Sequence, residues 1–116
     1  MVDFWATWCA PCVEVMPDAL VMESRLKEKN IGYIFLSYDS RIKTWKNASS
    51  KLGLKHSYRI NQASKPILDE KLRMKTIPRY ILINSQGDLL AWELPSPADP
   101  KFLISIDSAL SSKQKK

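Results

Sequence analysis

Short apolar runs alternate with helix-spaced apolar stripes along this chain. Val2-Asp3-Phe4-Trp5 is apolar and aromatic except for Asp3, the pattern of a short buried strand. A turn follows through Cys12, and a long helix is predicted from about Cys9 to Lys29. Ala19, Met22 and Leu26 recur at i, i+3 and i+7, with Leu20 widening the stripe and Glu23, Arg25, Lys27 and Glu28 on the other face. Pro11 is compatible with a first helical turn. Pro17 lies deeper and is expected to kink the helix. Tyr33 to Tyr38 is a second buried strand, apolar, β-branched and aromatic. Asp39 or Ser40 is expected to cap the next helix, about Ile42 to Leu52, with Trp45, Ala48 and Leu52 inward. Leu54 to Ala63 alternates only weakly and reads as an irregular edge segment. Ser64 is expected to cap a short helix from Pro66 to about Leu72. Arg79 to Asn84 forms a strand, Ser85-Gln86-Gly87-Asp88 a turn, and Leu89 to Glu93 the returning hairpin strand. Asp99-Pro100 opens a last helix that reaches about Ser112, with Phe102, Leu103, Ile106 and Leu110 inward.

This order, one βαβ unit followed by a hairpin and a closing helix, predicts an α/β fold: a three-layer sandwich with a central mixed sheet flanked by helices. The first two strands should be parallel through a crossover. The sheet should run second strand, first, third, fourth, which puts the strongly apolar first strand in the middle.

Size and charge narrow this only slightly. The chain has 116 residues, 45% of them hydrophobic and 26% charged, enough for one core. The net charge is +6, and three of the lysines fall in the last four residues. Residues 1–112 are therefore read as one domain and 113–116 as a basic, disordered tail. No aromatic-basic interleaving points to nucleic acid. No apolar run reaches the ~20 residues of a membrane span. Neither a basic n-region nor an apolar h-region follows Met1. Because the chain opens directly into a strand, further residues are expected ahead of Val2 in the natural protein.

The chemistry is concentrated in Trp8-Cys9-Ala10-Pro11-Cys12. A Cys-x-x-Cys pair by itself also serves as half of a zinc site. This pair stands between a strand and a helix, with Pro11 inside the loop. Free backbone N–H groups at a helix start favour an anion, so a Cys9 thiolate should be stabilised below the free thiol pKa of about 8.5. Cys9 is the expected nucleophile. Cys12, about one turn deeper, is the expected resolving thiol. A zinc site needs four ligands, and the chain has two cysteines and one histidine, His56. No metal is therefore expected. His56 reads as a surface residue, although copper or zinc handling through the pair and His56 remains an alternative. Trp45, Trp92, Met16 and Met22 read as packing residues. Arg79 and Tyr80 stand where they would border a groove.

With these residues in place, the chain resembles thioredoxin and its relatives. The likeness rests on Val-Asp-Phe-Trp-Ala-x-Trp-Cys-x-Pro-Cys at residues 2–12 and on Ile77-Pro78 ahead of a strand and the Gly87 turn. Met16-Pro17, Tyr38-Asp39 with Trp45, the segment near residues 54–65, and Ile77 to Ile83 resemble the extracytoplasmic TlpA/ResA-type thiol–disulfide oxidoreductases in particular. The resemblance implies dithiol/disulfide exchange on protein cysteines, with the redox pair Cys9–Cys12 and no bound cofactor. It implies that Trp8 flanks the nucleophile and that Pro78 is a cis-proline exposing the backbone of Ile77 to an extended substrate. Ala10 and Pro11 shape the loop and resemble reducing members. Asp3 matches the family's buried acid, which takes a proton from Cys12. The implied partners are protein thiols or disulfides and an upstream electron donor. The implied compartment is the bacterial periplasm or cell envelope, with any membrane contact made through an anchor ahead of Val2. The oligomeric state is not implied. Two departures stand out. The glutamate that such proteins often carry three residues after the second cysteine is Val15 here. Glu14 precedes it, rotated by ~100° on a helix. The family's extra strand and helix ahead of the motif strand are also missing, an N-terminal truncation. A binding module or redox switch without turnover is the alternative function.

Overall fold

The computed structural model describes residues 1–114. Five strands form one mixed sheet: β1 (Val2–Trp5), β2 (Ile34–Ser37), β3 (Ser57–Arg59), β4 (Arg79–Ile83) and β5 (Leu89–Ala91), in the order β3-β2-β1-β4-β5. β1 is central and runs parallel to β2 and antiparallel to β4. All four of its residues are buried. Side chains alternate across a strand, so both faces of the sheet are covered there. Around the sheet lie α1 (Ala10–Glu14), α2 (Met16–Glu28), α3 (Ile42–Leu52), α4 (Lys65–Lys71) and α5 (Phe102–Gln114). Phe4, Trp5, Leu26, Phe35, Phe102 and Ile106 are among the fully buried core residues. The mixed sheet, its flanking helices and the central first strand agree with the sequence analysis.

Several local expectations are corrected. The predicted helix from Cys9 to Lys29 is two helices, broken at Val15. Pro17 has no N–H for the Val13 carbonyl, and its ring crowds that carbonyl, so the ladder stops two residues before the proline. The stretch near Leu54–Ala63 contributes β3, a three-residue strand pairing parallel with β2, so the sheet has one more strand than predicted. Neither Asp39 nor Ser40 caps α3. Its N-cap is Arg41, without a side-chain capping bond. Ser64 occupies the N-cap of α4, but its hydroxyl makes no capping bond. Asp99 does hold the start of α5, accepting from the Lys101 N–H at 2.8 Å. That helix continues to Gln114, past the expected domain end, while residues 115–116 of the expected tail lie outside the described residues.

Three helices end with the same pair of backbone bonds; after α3 the N–H groups of Gly53 and Leu54 bond the carbonyls of Ser50 and Ser49. After α2, the N–H groups of Asn30 and Ile31 bond the carbonyls of Lys27 and Leu26. After α4, those of Arg73 and Met74 bond Glu70 and Asp69. This ending requires a left-handed residue, usually glycine or asparagine. Asn30 fills it at φ 64° and Gly53 at φ 74°, whereas after α4 the position is an arginine, Arg73, at φ 49°.

Candidate active site

The sheet topology assembles the site at one end. β1 and β2 are parallel with Trp5 opposite Ser37, so the loops that follow both strands emerge side by side. β4 is antiparallel to β1, with Phe4 opposite Arg79. The residue entering β4, Pro78, therefore lies beside the end of β1, where the chain turns toward Cys9.

Cys9 is the N-cap of α1, with Pro11 in the first turn. Its carbonyl accepts the N–H groups of Cys12 and Val13, each at 3.1 Å. Cys9 and Cys12 are joined in a disulfide, with Cα atoms 5.3 Å apart. Cys9 is the more accessible of the two, 6% against 2% exposed. The Cys9 Sγ lies 3.8 Å from the carbonyl oxygen of Ile77, and the Ile77–Pro78 bond is cis. A disulfide sulfur carries no proton, so this is a packing contact in the oxidised state. Trp8 projects outward, 66% exposed, next to the pair. Ala10 and Pro11, the first two residues of α1, are exposed beside it. Cys9, Cys12, Ile77, Pro78, Trp8, Ala10 and Pro11 are thus gathered at one end of the molecule.

Asp3 is placed differently, inside the sheet. It is buried on β1, flanked by Phe35 and Tyr80 on the neighbouring strands, and accepts a hydrogen bond from the Tyr33 hydroxyl at 2.8 Å. Burial pushes its carboxyl up to about 7, against the opposing effect of that bond. Burial likewise raises Tyr33 and Tyr80, and the Asp3 charge adds to both shifts. Glu14 is exposed, whereas Val15 sits at the helix break.

One residue expected as a helix cap supports the site instead. Asp39, buried at the end of β2, accepts from the Thr7 N–H at 3.0 Å, the Thr7 hydroxyl at 2.6 Å and the Ser37 hydroxyl at 2.6 Å. It fastens the loop two residues ahead of Cys9. Only the short spacing of Ser37 and Asp39 hinted at this; the long-range partner, Thr7, gave no local signal. Trp45 is a packing residue as expected, its indole N–H donating to the Ser57 hydroxyl at 3.0 Å. Trp92, also expected to be a packing residue, is instead 42% exposed beneath two arginines. His56 lines a separate groove with Glu23, Lys27 and Tyr33. Among the described residues, no three His, Cys, Asp or Glu side chains cluster as metal ligands.

Comparison with known proteins gives the same picture. ResA, a thiol-disulfide oxidoreductase of Bacillus thuringiensis, is 31% identical over 88 residues, covering 76% of this chain and 50% of the relative. The chain thus spans about half the length of the curated relatives it matches. A solved chain from Bacteroides vulgatus, described as a candidate thiol-disulfide oxidoreductase, superposes with a TM-score of 0.76 at 29% identity, covering 93% of this chain and 75% of that one. The thioredoxin domain of another Bacteroides vulgatus oxidoreductase shares the fold, with a TM-score of 0.79 at 20% identity over 92% of this chain and 75% of that one. The thioredoxin-like family model matches residues 1–89. That segment contains the cysteine pair, the cis-proline and all of the sheet up to the first residue of β5, and the chain belongs to the thioredoxin-like family.

Proposed function

We propose that this chain is a thiol–disulfide oxidoreductase acting on protein cysteines in the reducing direction, in an extracytoplasmic compartment. The observation that carries the proposal is the Cys9–Cys12 disulfide, its first sulfur 3.8 Å from the carbonyl of Ile77 in the cis Ile77–Pro78 unit. In the reduced protein the Cys9 thiolate attacks one sulfur of a substrate disulfide. A Cys9–substrate bond forms, and the other substrate sulfur leaves as a thiolate that takes a proton from water. Cys12 then loses its proton and attacks the Cys9 sulfur, so the internal disulfide re-forms and the second substrate thiol is released. Two electrons have passed from the Cys9–Cys12 pair to the substrate, and an upstream dithiol donor returns them. No cofactor takes part. Asp3, with its carboxyl near 7, is the proposed acceptor for the Cys12 proton. An extended substrate segment pairs with the backbone of Ile77, and exposed Trp8 flanks it. The direction follows from the likeness of Ala10-Pro11 to reducing members, and the compartment from the TlpA/ResA resemblance.

Insulin-disulfide reduction with dithiothreitol as donor tests this. Cys9→Ser should abolish turnover, and Cys12→Ser should accumulate mixed disulfides. Wild-type turnover in both variants would remove the proposal.

A further inference from the structure

A groove of about 430 Å³ opens beside Pro78, lined by Arg73, Lys75, Thr76, Arg79, Trp92 and Glu93. Three cations face it against one carboxylate. The Arg73 and Arg79 guanidinium groups lie 5.6 and 5.4 Å from the same Trp92 ring. The ring attracts each of them while they repel one another, and with a single carboxylate, Glu93, in the lining the groove keeps an excess of positive charge that favours an anion. Arg79 is also tied down, its Nε donating to the Trp92 carbonyl at 2.7 Å.

Arg73 supplies a second, independent observation. It occupies the left-handed position after α4 at φ 49°, where glycine or asparagine would fit without strain. The helix it ends is anchored, because the Tyr38 hydroxyl donates to Asp69 at 2.6 Å. The two other helices with this ending fill the position with asparagine and glycine, so the arginine, its head group over an exposed tryptophan at the groove, is the residue the fold itself does not call for.

Building on the oxidoreductase proposal above, we propose that this groove recognises acidic residues flanking the target cysteine of a protein substrate. An extended segment laid along Ile77–Pro78 continues directly into the groove. Glutamate or aspartate side chains a few residues from the target sulfur then meet Arg73, Lys75 and Arg79. A nucleic acid or an anionic membrane would need a broader basic surface than this cleft at Pro78.

The test uses pre-reduced protein and synthetic peptide disulfides whose cysteines are flanked by glutamate, glutamine or lysine, with the reaction followed by stopped-flow tryptophan fluorescence. The glutamate peptide should react at least tenfold faster than the lysine peptide at low ionic strength, and 0.5 M salt should erase most of that ratio. Arg73→Gly should lower the ratio several-fold while keeping or raising the melting temperature, because glycine relieves the left-handed strain. Lys75→Gln should lower it as well. Uncharged hydroxyethyl disulfide reports on the sulfur chemistry alone. Normal reduction of that compound with equal rates for all three peptides would overturn the acidic-substrate proposal and leave the oxidoreductase proposal standing. If hydroxyethyl disulfide is not reduced, a cysteine-free glutamate peptide titrated into the oxidised protein decides the groove separately. Amide shifts confined to residues 73–79 and 92 support it, and no shifts there overturn it. Binding to phosphatidylglycerol vesicles without any discrimination among peptides would also overturn it.

Discussion

The Asp39 carboxylate holds both the backbone N–H and the hydroxyl of Thr7, 32 positions earlier in the chain. Parallel pairing of β1 with β2 makes this possible, because both strands end at the same edge. The reactive loop is therefore pinned by a buried, charge-assisted contact. Thr7→Val keeps the shape and the N–H but loses the hydroxyl bond. It should cost about 1.5–3 kcal/mol of stability by urea denaturation. Asp39→Ala leaves the Thr7 and Ser37 donors unpaired and should cost more. Both variants should slow disulfide reduction more than they change the fold.

Asp3 makes stability depend on pH in an unusual direction for a carboxylate. Its folded-state value, about 7, lies above the ordinary 3.8. Between these values the folded chain binds more protons than the unfolded one, so folding stability should fall as pH rises from about 4 to 7 and level off above. Asp3→Asn should remove this slope, measured as the denaturation midpoint against pH. In the intact protein, release of the mixed disulfide by Cys12 should accelerate as pH rises through about 7. In Asp3→Asn that step should be slow and lack the inflection.

Trp8 is too exposed to support the core. Trp8→Ala should change stability by no more than about 0.5 kcal/mol. It should raise KM for insulin reduction several-fold while kcat changes less. Equal melting temperatures with unchanged KM would deny it a substrate contact.

Phe102 is fully buried at the start of α5. Phe102→Ala should cost about 3–5 kcal/mol, a large part of a small domain's stability. Urea denaturation of the oxidised protein checks this, and a loss below about 1 kcal/mol would mean that α5 is loosely docked.

The parts legible in sequence are those set by neighbours along the chain. The apolar run of β1, the stripe Ala19–Met22–Leu26 and the cysteine spacing each carry their own periodicity or chemistry. β3 was not legible, because three residues with a half-exposed pattern give almost no signal. Its existence depends on β2 offering an edge 20 residues upstream. Asp39 illustrates the opposite failure. A local rule assigned it to a helix cap, and a tertiary partner, Thr7, took the carboxylate instead. Pro17 was expected to kink one helix; the chain instead breaks into two at Val15, because a proline disrupts the carbonyl four residues behind it. The site was mostly legible, since Cys9, Cys12 and Ile77–Pro78 belong to two compact motifs. Of the basic groove only Arg79 was anticipated, because Arg73, Lys75 and Trp92 join it only once β4 and β5 pair; Tyr80, expected to border a groove beside it, is buried.

The middle position of β1 has a consequence for how firmly the cysteine loop is carried. Its amides and carbonyls are engaged by neighbours on both sides, so opening it requires the whole sheet to come apart. In native-state hydrogen exchange its protons should be among the last to leave, at the free energy of global unfolding. The cysteine loop thus hangs from the slowest-opening part of the molecule, and opening or closing the Cys9–Cys12 bond should leave the exchange protection of β1 unchanged.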